Sequence, residues 1–416
     1  MRILQLSTFD GRFGASIAAR RLHEALLANG QQCDLLVSEV LSDSPRTHGP
    51  RSGFEKFSAK VRHQIDKLPL KLYQRENSLA FSPNWFPSGI AGRIATFQSD
   101  VIHLHWCQSD FIPTPVLPRL GRPLVWTFHD MWAFTGGCHY TGDCQGYLSN
   151  CGRCPVLKSS QESDLSQWLW NQKRGVYREI RDSLQIICPS HWLSEVARKA
   201  PLLEGVPVHT VANPINTQVF KPFDKRTARR LLGLPEEGPL LLLGATARSD
   251  HRKGFDLLDE ALEYYSSQKD APRLGVVTLG VRNKPEEPTK SPNLKTWNIG
   301  FLQDEVSLCA LYNAVDVVAL PSREENLSNT LAEALCCGIP CLAFRIGGNG
   351  DLISHQKNGY LAKPDDTTDM ATGLTWILKN LGDDQRASIS DAAKDKVGAD
   401  RIIPQFLNIY QKAMAR

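Results

Sequence analysis

The chain has 416 residues, is 42% hydrophobic and 22% charged, and carries a formal net charge of +4. That length suggests two globular domains, and the small charge, with no helix-turn-helix, zinc-finger or RNP pattern, argues against a nucleic-acid binder. No apolar run is long enough to cross a bilayer, and Asp10 breaks the apolar start, so neither a membrane helix nor a signal peptide is expected and a cytoplasmic location follows. In chain order, a strand is expected over residues 2–7, a loop over 8–14, and a helix over 16–28 that ends at Asn29-Gly30. Strands follow at 33–37, 101–105, 124–128, 184–188 and 208–211. A turn at Ala212-Asn213-Pro214-Ile215-Asn216 closes the first half. The second half reads as strand 240–244, helix 255–266, strand 273–279, helix 305–313 and strand 315–320. Helix 330–335, strand 341–344 and a last helix near 401–414 complete it. Alternating strands and helices predict parallel α/β sheets in two doubly wound, Rossmann-like domains, 1–212 and 213–398. Segment 399–416 is expected to return to the first domain. Two such domains facing across a cleft would make that cleft the default binding site.

The most informative run is SREENLSNTLAEALCCGIPCLAF, in which Glu325 and Glu333 are separated by seven residues. An apolar strand ends at Pro321-Ser322, and Ser328 and Asn329 are helix-capping residue types. A loop that leaves a parallel strand and opens a helix is where an α/β sheet binds nucleotides, and the helix start favours a diphosphate. One carboxylate on the loop and one on the helix can then reach a sugar hydroxyl and a ribose. Lys253, in DHRKGF, stands next to a glycine at a helix entry and can reach a phosphate as a point charge.

The Glu325–Glu333 run resembles the E-x7-E motif of retaining glycosyltransferases of family 4, which have the GT-B fold. The resemblance implies that Glu325 meets the donor sugar, that Glu333 holds the ribose, and that Asn326, Leu327, Ser328 and Asn329 line the donor phosphates. Lys253 matches the family's phosphate-neutralising lysine; Arg248 is the candidate for its basic partner, one residue off the usual spacing. Gly11, Phe13, Gly14 and Ala15 resemble the family's first glycine loop. His129, in TFHDMW, matches a histidine near the donor sugar and acceptor, with an acid/base or hydroxyl-orienting role. His103 and His105 share a strand face and read as cleft shaping or core. The string TFHDMWAFTGGCHYTGDC resembles the polysaccharide branch that includes colanic-acid-type enzymes. Together these imply transfer of a sugar from a nucleotide-diphosphate sugar to a saccharide or lipid-linked saccharide. No DxD pattern is present, so no catalytic metal is expected. A sugar-nucleotide epimerase of GT-B fold and a non-catalytic nucleotide-sugar-binding scaffold are the competing readings.

Cys138, Cys144, Cys151 and Cys154 form C-x5-C-x6-C-x2-C. This spacing suits a structural zinc, with His139 as a substitute ligand, or else free thiols or disulfides. The other seven cysteines lie in or beside apolar runs and read as core. Residues 51–75 carry Lys56, Lys60, Arg62, Lys67 and Lys71 beside Phe54, Phe57, Val61, Ile65, Leu68 and Leu72. This is either a basic amphipathic stripe that contacts an anionic membrane or a surface helix packing its apolar side on the core.

Overall fold

The computed structural model describes residues 1–11, 13–74, 80–244, 250–269, 271, 273–279, 294–302 and 304–415. The N-terminal unit comprises Met1–Pro214 and Ile402–Arg416, and the second unit Ile215–Arg401.

The central strands of the first unit are almost wholly buried, because a parallel sheet is covered on both faces, and they are mostly apolar with a few buried polar residues such as Gln5, His103 and Gln185. Its elements are β1 (Arg2–Phe9), α1 (Gly14–Ala28), β2 (Gln32–Glu39), β3 (Thr47–His48), α2 (Gly53–Asp66), α3 (Ile90–Ile94) and β4 (Val101–Leu104). They continue with β5 (Leu124–Thr127), α4 (Leu165–Ile180), β6 (Leu184–Cys188), α5 (His191–Lys199) and β7 (Val208–Thr210). The sheet order is β3-β2-β1-β4-β5-β6-β7, and every pairing is parallel.

The second unit holds α6 (Lys225–Leu231), β8 (Leu240–Gly244), α7 (Phe255–Ser267), β9 (Gly275–Leu279), β10 (Lys295–Asn298), α8 (Glu305–Ala314) and β11 (Val317–Leu320). It continues with α9 (Asn329–Cys336), β12 (Cys341–Phe344), α10 (Asn349–Leu352), β13 (Gly359–Ala362), α11 (Thr367–Asn380) and α12 (Arg386–Val397). Its order is β10-β9-β8-β11-β12-β13, again all parallel. The final helix, α13 (Ala399–Met414), buries Ile402, Phe406 and Tyr410 with Ile3, Val101 and Val125 of the first sheet.

Helix starts follow side-chain capping. Asp164, Ser190, Asp224, Asp304, Ser328 and Asp366 each accept a backbone N–H from the first turn of α4, α5, α6, α8, α9 and α11. The seven cysteines read as core are all buried.

Two readings need correction. Helix α1 begins at Gly14, so Gly14 and Ala15 lie in its first turn and not in the preceding loop. Phe13 takes the cap position, and its N–H donates to Ser16 Oγ at 3.0 Å. Helix α2 does not pack its apolar side on the core. Phe54 and Phe57 are 78% and 64% exposed, Val61 and Leu68 are exposed too, and only Asp66 of this helix is buried. Among the described residues no helix is long and apolar enough to cross a membrane.

Candidate active site

The strand order of the second sheet turns back between β8 and β11: the chain runs outward through β9 to β10, then returns beside β8. The carboxyl ends of β8 and β11 form such a switch point, where open α/β sheets bind ligands. Two loops meet there. Lys253 Nζ lies 2.9 Å from Glu325 Oε2, with side chains 26% and 12% exposed. The loops are stapled together by Arg323 N donating to Arg252 O at 2.8 Å and by Arg252 Nη1 donating to Glu324 O at 3.1 Å. Arg323 also pairs with Asp256 at 2.6 Å, at the start of α7.

Glycines permit this approach. Gly254 has φ +65°, and a Cβ there would stand 2.0 Å from Pro321 O. Gly347 has φ +47°, and its Cβ would stand 1.7 Å from Glu325 O. Neither contact tolerates a side chain. Gly348 N donates to Asn326 O at 2.8 Å, which joins the β12 end to the same loop.

Burial alone would raise the Glu325 carboxyl. The Lys253 and Arg252 charges, with hydrogen bonds from Lys253 and from Asn326, outweigh it and hold the group below its ordinary value. Glu325 is therefore a carboxylate at neutral pH. Glu333, on α9 and 5% exposed, accepts from Tyr312 OH at 2.6 Å. Asn326, Leu327 and Ser328 are buried, and Asn329 is the first residue of α9. Ser322 Oγ and Asn349 Oδ1, buried at the ends of β11 and β12, have no hydrogen-bond partner among the described residues. Orphan polar atoms of this kind suit a polar ligand. The structure brings Lys253, Glu325 and the Asn326–Ser328 loop together. Arg248 lies outside the described residues. Tyr312 is a site residue that sequence reasoning missed, because only the packing of α8 on α9 reveals its partner.

In the first unit, His129 follows β5. Its Nε2 stands 3.2 Å from His105 Nδ1, with the rings stacked at 5.5 Å. Burial pulls His129 down to about 4, against a smaller opposing pull from Asp130. His105 falls well below its ordinary value for the same first reason. Both imidazoles are neutral at pH 7, which suits orienting a hydroxyl better than delivering a proton. His103 is fully buried and bonds Tyr410 OH at 2.7 Å and Thr127 Oγ1 at 2.8 Å, so it is a core residue. Asp130 fixes the loop after His129: it accepts from Trp106 Nε1, Trp132 N and His139 Nδ1. Gly11 has open space where a Cβ would project. Asp10 ties this loop to Leu41 N and Ser42 N.

The four clustered cysteines carry no disulfide and border one small cavity. Among the described residues no three His, Cys, Asp or Glu side chains stand in metal-ligating geometry. His139 is no substitute ligand, because Asp130 and Ser82 take both of its ring nitrogens.

A nucleotide-type switch point carrying paired Lys and Glu in the second unit, and a doubly wound first unit with a buried histidine pair, are the features of a glycosyltransferase of the GT-B class. The Glycosyltransferase Family 4 model matches residues 14–219 and the Glycosyl transferases group 1 model matches residues 239–380, and the chain belongs to that family of enzymes. It is 27% identical to the D-inositol 3-phosphate glycosyltransferase of Xylanimonas cellulosilytica, over 76% of this chain and 73% of that one. It is 23% identical to the colanic acid biosynthesis glycosyl transferase WcaC of Escherichia coli, over 69% and 68%. The structure of Anabaena HepE in complex with UDP and glucose superposes with a TM-score of 0.62 at 15% identity, covering 99% of each chain.

Proposed function

We propose that this enzyme is a retaining hexosyltransferase that moves a sugar from a nucleotide-diphosphate sugar to a saccharide acceptor, in exopolysaccharide or related glycan synthesis. The observation that carries the reading is the Lys253–Glu325 pair at the carboxyl ends of β8 and β11, with Glu333 one helix segment further on. Lys253 and the start of α9 neutralise the diphosphate as it leaves. Glu333, held by Tyr312, takes the ribose hydroxyls. Glu325, kept ionised, accepts from a donor-sugar hydroxyl, and neutral His129 orients another. A diphosphate oxygen receives the acceptor proton, so no side chain need do so. Retention rests on the family resemblance. The complex of HepE with UDP and glucose supports a nucleotide-sugar donor, and the likeness to WcaC supports a polysaccharide acceptor.

The test is release of nucleoside diphosphate from a panel of UDP-, GDP-, ADP- and TDP-sugars, with and without saccharide acceptors. Release that depends on acceptor, with the product anomer matching the donor, is expected. Interconversion of the donor sugar without acceptor would mean an epimerase, and binding without turnover a scaffold.

The acceptor is proposed to be lipid-linked and met at the inner face of the plasma membrane. The exposed phenylalanines of α2 stand beside Lys56, Lys60 and Lys67, all exposed, which is the composition of an interfacial helix. Each lysine near an anionic surface contributes about 1 kcal/mol. The protein is expected to sediment with anionic vesicles, less so at high salt and little with neutral vesicles. Phe54→Glu with Phe57→Glu should abolish this; no sedimentation of the unaltered protein with anionic vesicles removes the idea.

A further inference from the structure

We propose that Cys309 and Cys337 form a reversible disulfide that ties α8 to α9 beside Glu333 and weakens the donor nucleotide site. The effect on binding rests on Glu333 as the ribose ligand of the proposed function; the bond itself does not.

Geometry carries the pair. The two Sγ atoms lie 3.8 Å apart, within reach of an S–H···S hydrogen bond. The same two helices are also joined by Tyr312 OH donating to Glu333 Oε2 at 2.6 Å. Cys309 and Tyr312 are three residues apart on α8, and Glu333 and Cys337 are four apart at the end of α9, so each pair shares a helix face. Cys337 takes the C-cap position, and its N–H donates to Glu333 O at 3.0 Å. The sulfur contact therefore stands one turn from the ribose carboxylate.

The two sulfurs are unequal. Cys309 is 5% exposed and Cys337 is 0% exposed. As a thiol, Cys309 donates to Val219 O at 3.1 Å. The Cys337 S–H holds the Cys309 thiol below its ordinary value against opposing burial, and the Lys221 N–H and the Asn313 side chain, whose Nδ2 is 3.4 Å away, add to it. Burial pushes the Cys337 thiol up. Cys309 is thus the sulfur that an oxidant reaches first, and Cys337 the enclosed thiol that resolves the product.

The oxidant is a peroxide, hydrogen peroxide in the simplest case. The Cys309 thiolate attacks one peroxide oxygen, the O–O bond breaks, and the departing oxygen takes up protons as water, leaving a sulfenic acid. Cys337 Sγ then attacks Cys309 Sγ. The S–S bond forms, the S–O bond breaks, and the hydroxyl leaves with the Cys337 proton as a second water. Two thiols lose two electrons in all, and the peroxide gains them; a dithiol reverses the change.

A disulfide is about 2.05 Å long, so the sulfurs must close by about 1.8 Å. The end of α9 is held from behind. Ser390 Oγ of α12 donates to Cys336 O at 2.6 Å, and Arg386 Nη2 donates to Cys337 O at 3.3 Å. Helix α8 is therefore the partner that yields, which shifts Tyr312 against Glu333 and removes the phenol that aims the carboxylate.

The experiment treats the purified full-length chain with hydrogen peroxide, blocks the remaining thiols and maps the digest by tandem mass spectrometry. A Cys309–Cys337 link is expected; fragmentation must place it, because Cys336 and Cys341 lie on the same tryptic segment as Cys337. Binding of UDP, GDP, ADP and TDP is measured on the reduced chain, after peroxide and after dithiothreitol. The nucleotide that the reduced chain binds should bind about 10-fold more weakly after oxidation, the scale of one lost hydrogen bond to a charged group, and recover with the dithiol. Cys309→Ser should bind as the reduced chain does and ignore peroxide. If that variant fails to fold, the link in the unaltered chain and its reversal decide. Cys309 left reduced, or linked to Cys336, overturns the proposal, and a Cys309–Cys337 link with unchanged binding overturns its effect on the site. A reduced chain that binds none of the four nucleotides, with the link still formed, would count against the nucleotide reading and establish the bond.

Discussion

Replacing Lys253 by alanine is expected to lower kcat/KM by about 10²- to 10³-fold, the usual cost of deleting one group that stabilises developing charge. Two effects act in the same direction. The leaving diphosphate loses its nearest cation, and Glu325 loses its ion-pair partner. The second effect makes a pH signature. In the native protein Glu325 titrates below its ordinary value, because Lys253 and Arg252 overcome the burial that would raise it. Its ionised form therefore stabilises the fold above the unfolded value, and that contribution is lost only as pH falls through the depressed folded value. Without Lys253 the raising influence of burial is opposed by Arg252 and Asn326 alone. The acid limb of the activity profile should move to higher pH, and product inhibition by the nucleoside diphosphate should weaken. Lys253→Arg should recover part of both. A variant that keeps the native acid limb and native product inhibition would remove Lys253 from the site.

Much of this arrangement was readable from the chain, for identifiable reasons. The strand over 184–188 was legible to the residue as β6, because the mostly apolar segment LQIIC lies between Ser183 and the turn residues Pro189-Ser190. Helix α9 was legible because Ser328 caps it and Cys337-Gly338 ends it. The start of α1 was not, since Phe13 gives no capping signal. Helix α4 is absent from the sequence reading, although Asp164 caps it; its apolar residues Leu165, Leu169, Trp170 and Tyr177 are interrupted by Lys173, which is buried for a tertiary reason. The periodicity of 54, 57, 61 and 68 names the apolar side of α2 but cannot say whether anything covers it. Tyr312 and Glu333 are 21 residues apart, and only the packing of α8 on α9 joins them. Local chemistry was legible; partners brought together by the fold were not.

The largest effect on stability is expected from Asp316→Ala. Asp316 precedes β11 and accepts from Arg229 Nη2 at 2.7 Å, Leu240 N at 2.7 Å and Lys225 Nζ at 2.8 Å. The Arg229 side chain is only 3% exposed; it also donates to Ala314 O, Glu236 O and Gly238 O. Those carbonyls satisfy its N–H groups but do not neutralise its charge. Removing the carboxylate leaves a buried cation unpaired, which costs about 3–5 kcal/mol, a large part of an ordinary domain's 5–15 kcal/mol. Urea unfolding should show the transition of the second unit moving to lower denaturant with its slope unchanged. A shift worth less than about 1 kcal/mol would mean that Arg229 is effectively solvated and the pair behaves as a surface one. Because Asp316 joins β8 to β11, the strands that carry the Lys253 and Glu325 loops, the loss is linked to ligand. Nucleoside diphosphate at a hundred times its dissociation constant should return about 2.7 kcal/mol to the variant if the site still forms once folded. Failure of nucleotide to restore the transition would show that the Asp316 network also sets the geometry of the donor pocket, which would make it a positioning element for catalysis as well as a support for the sheet.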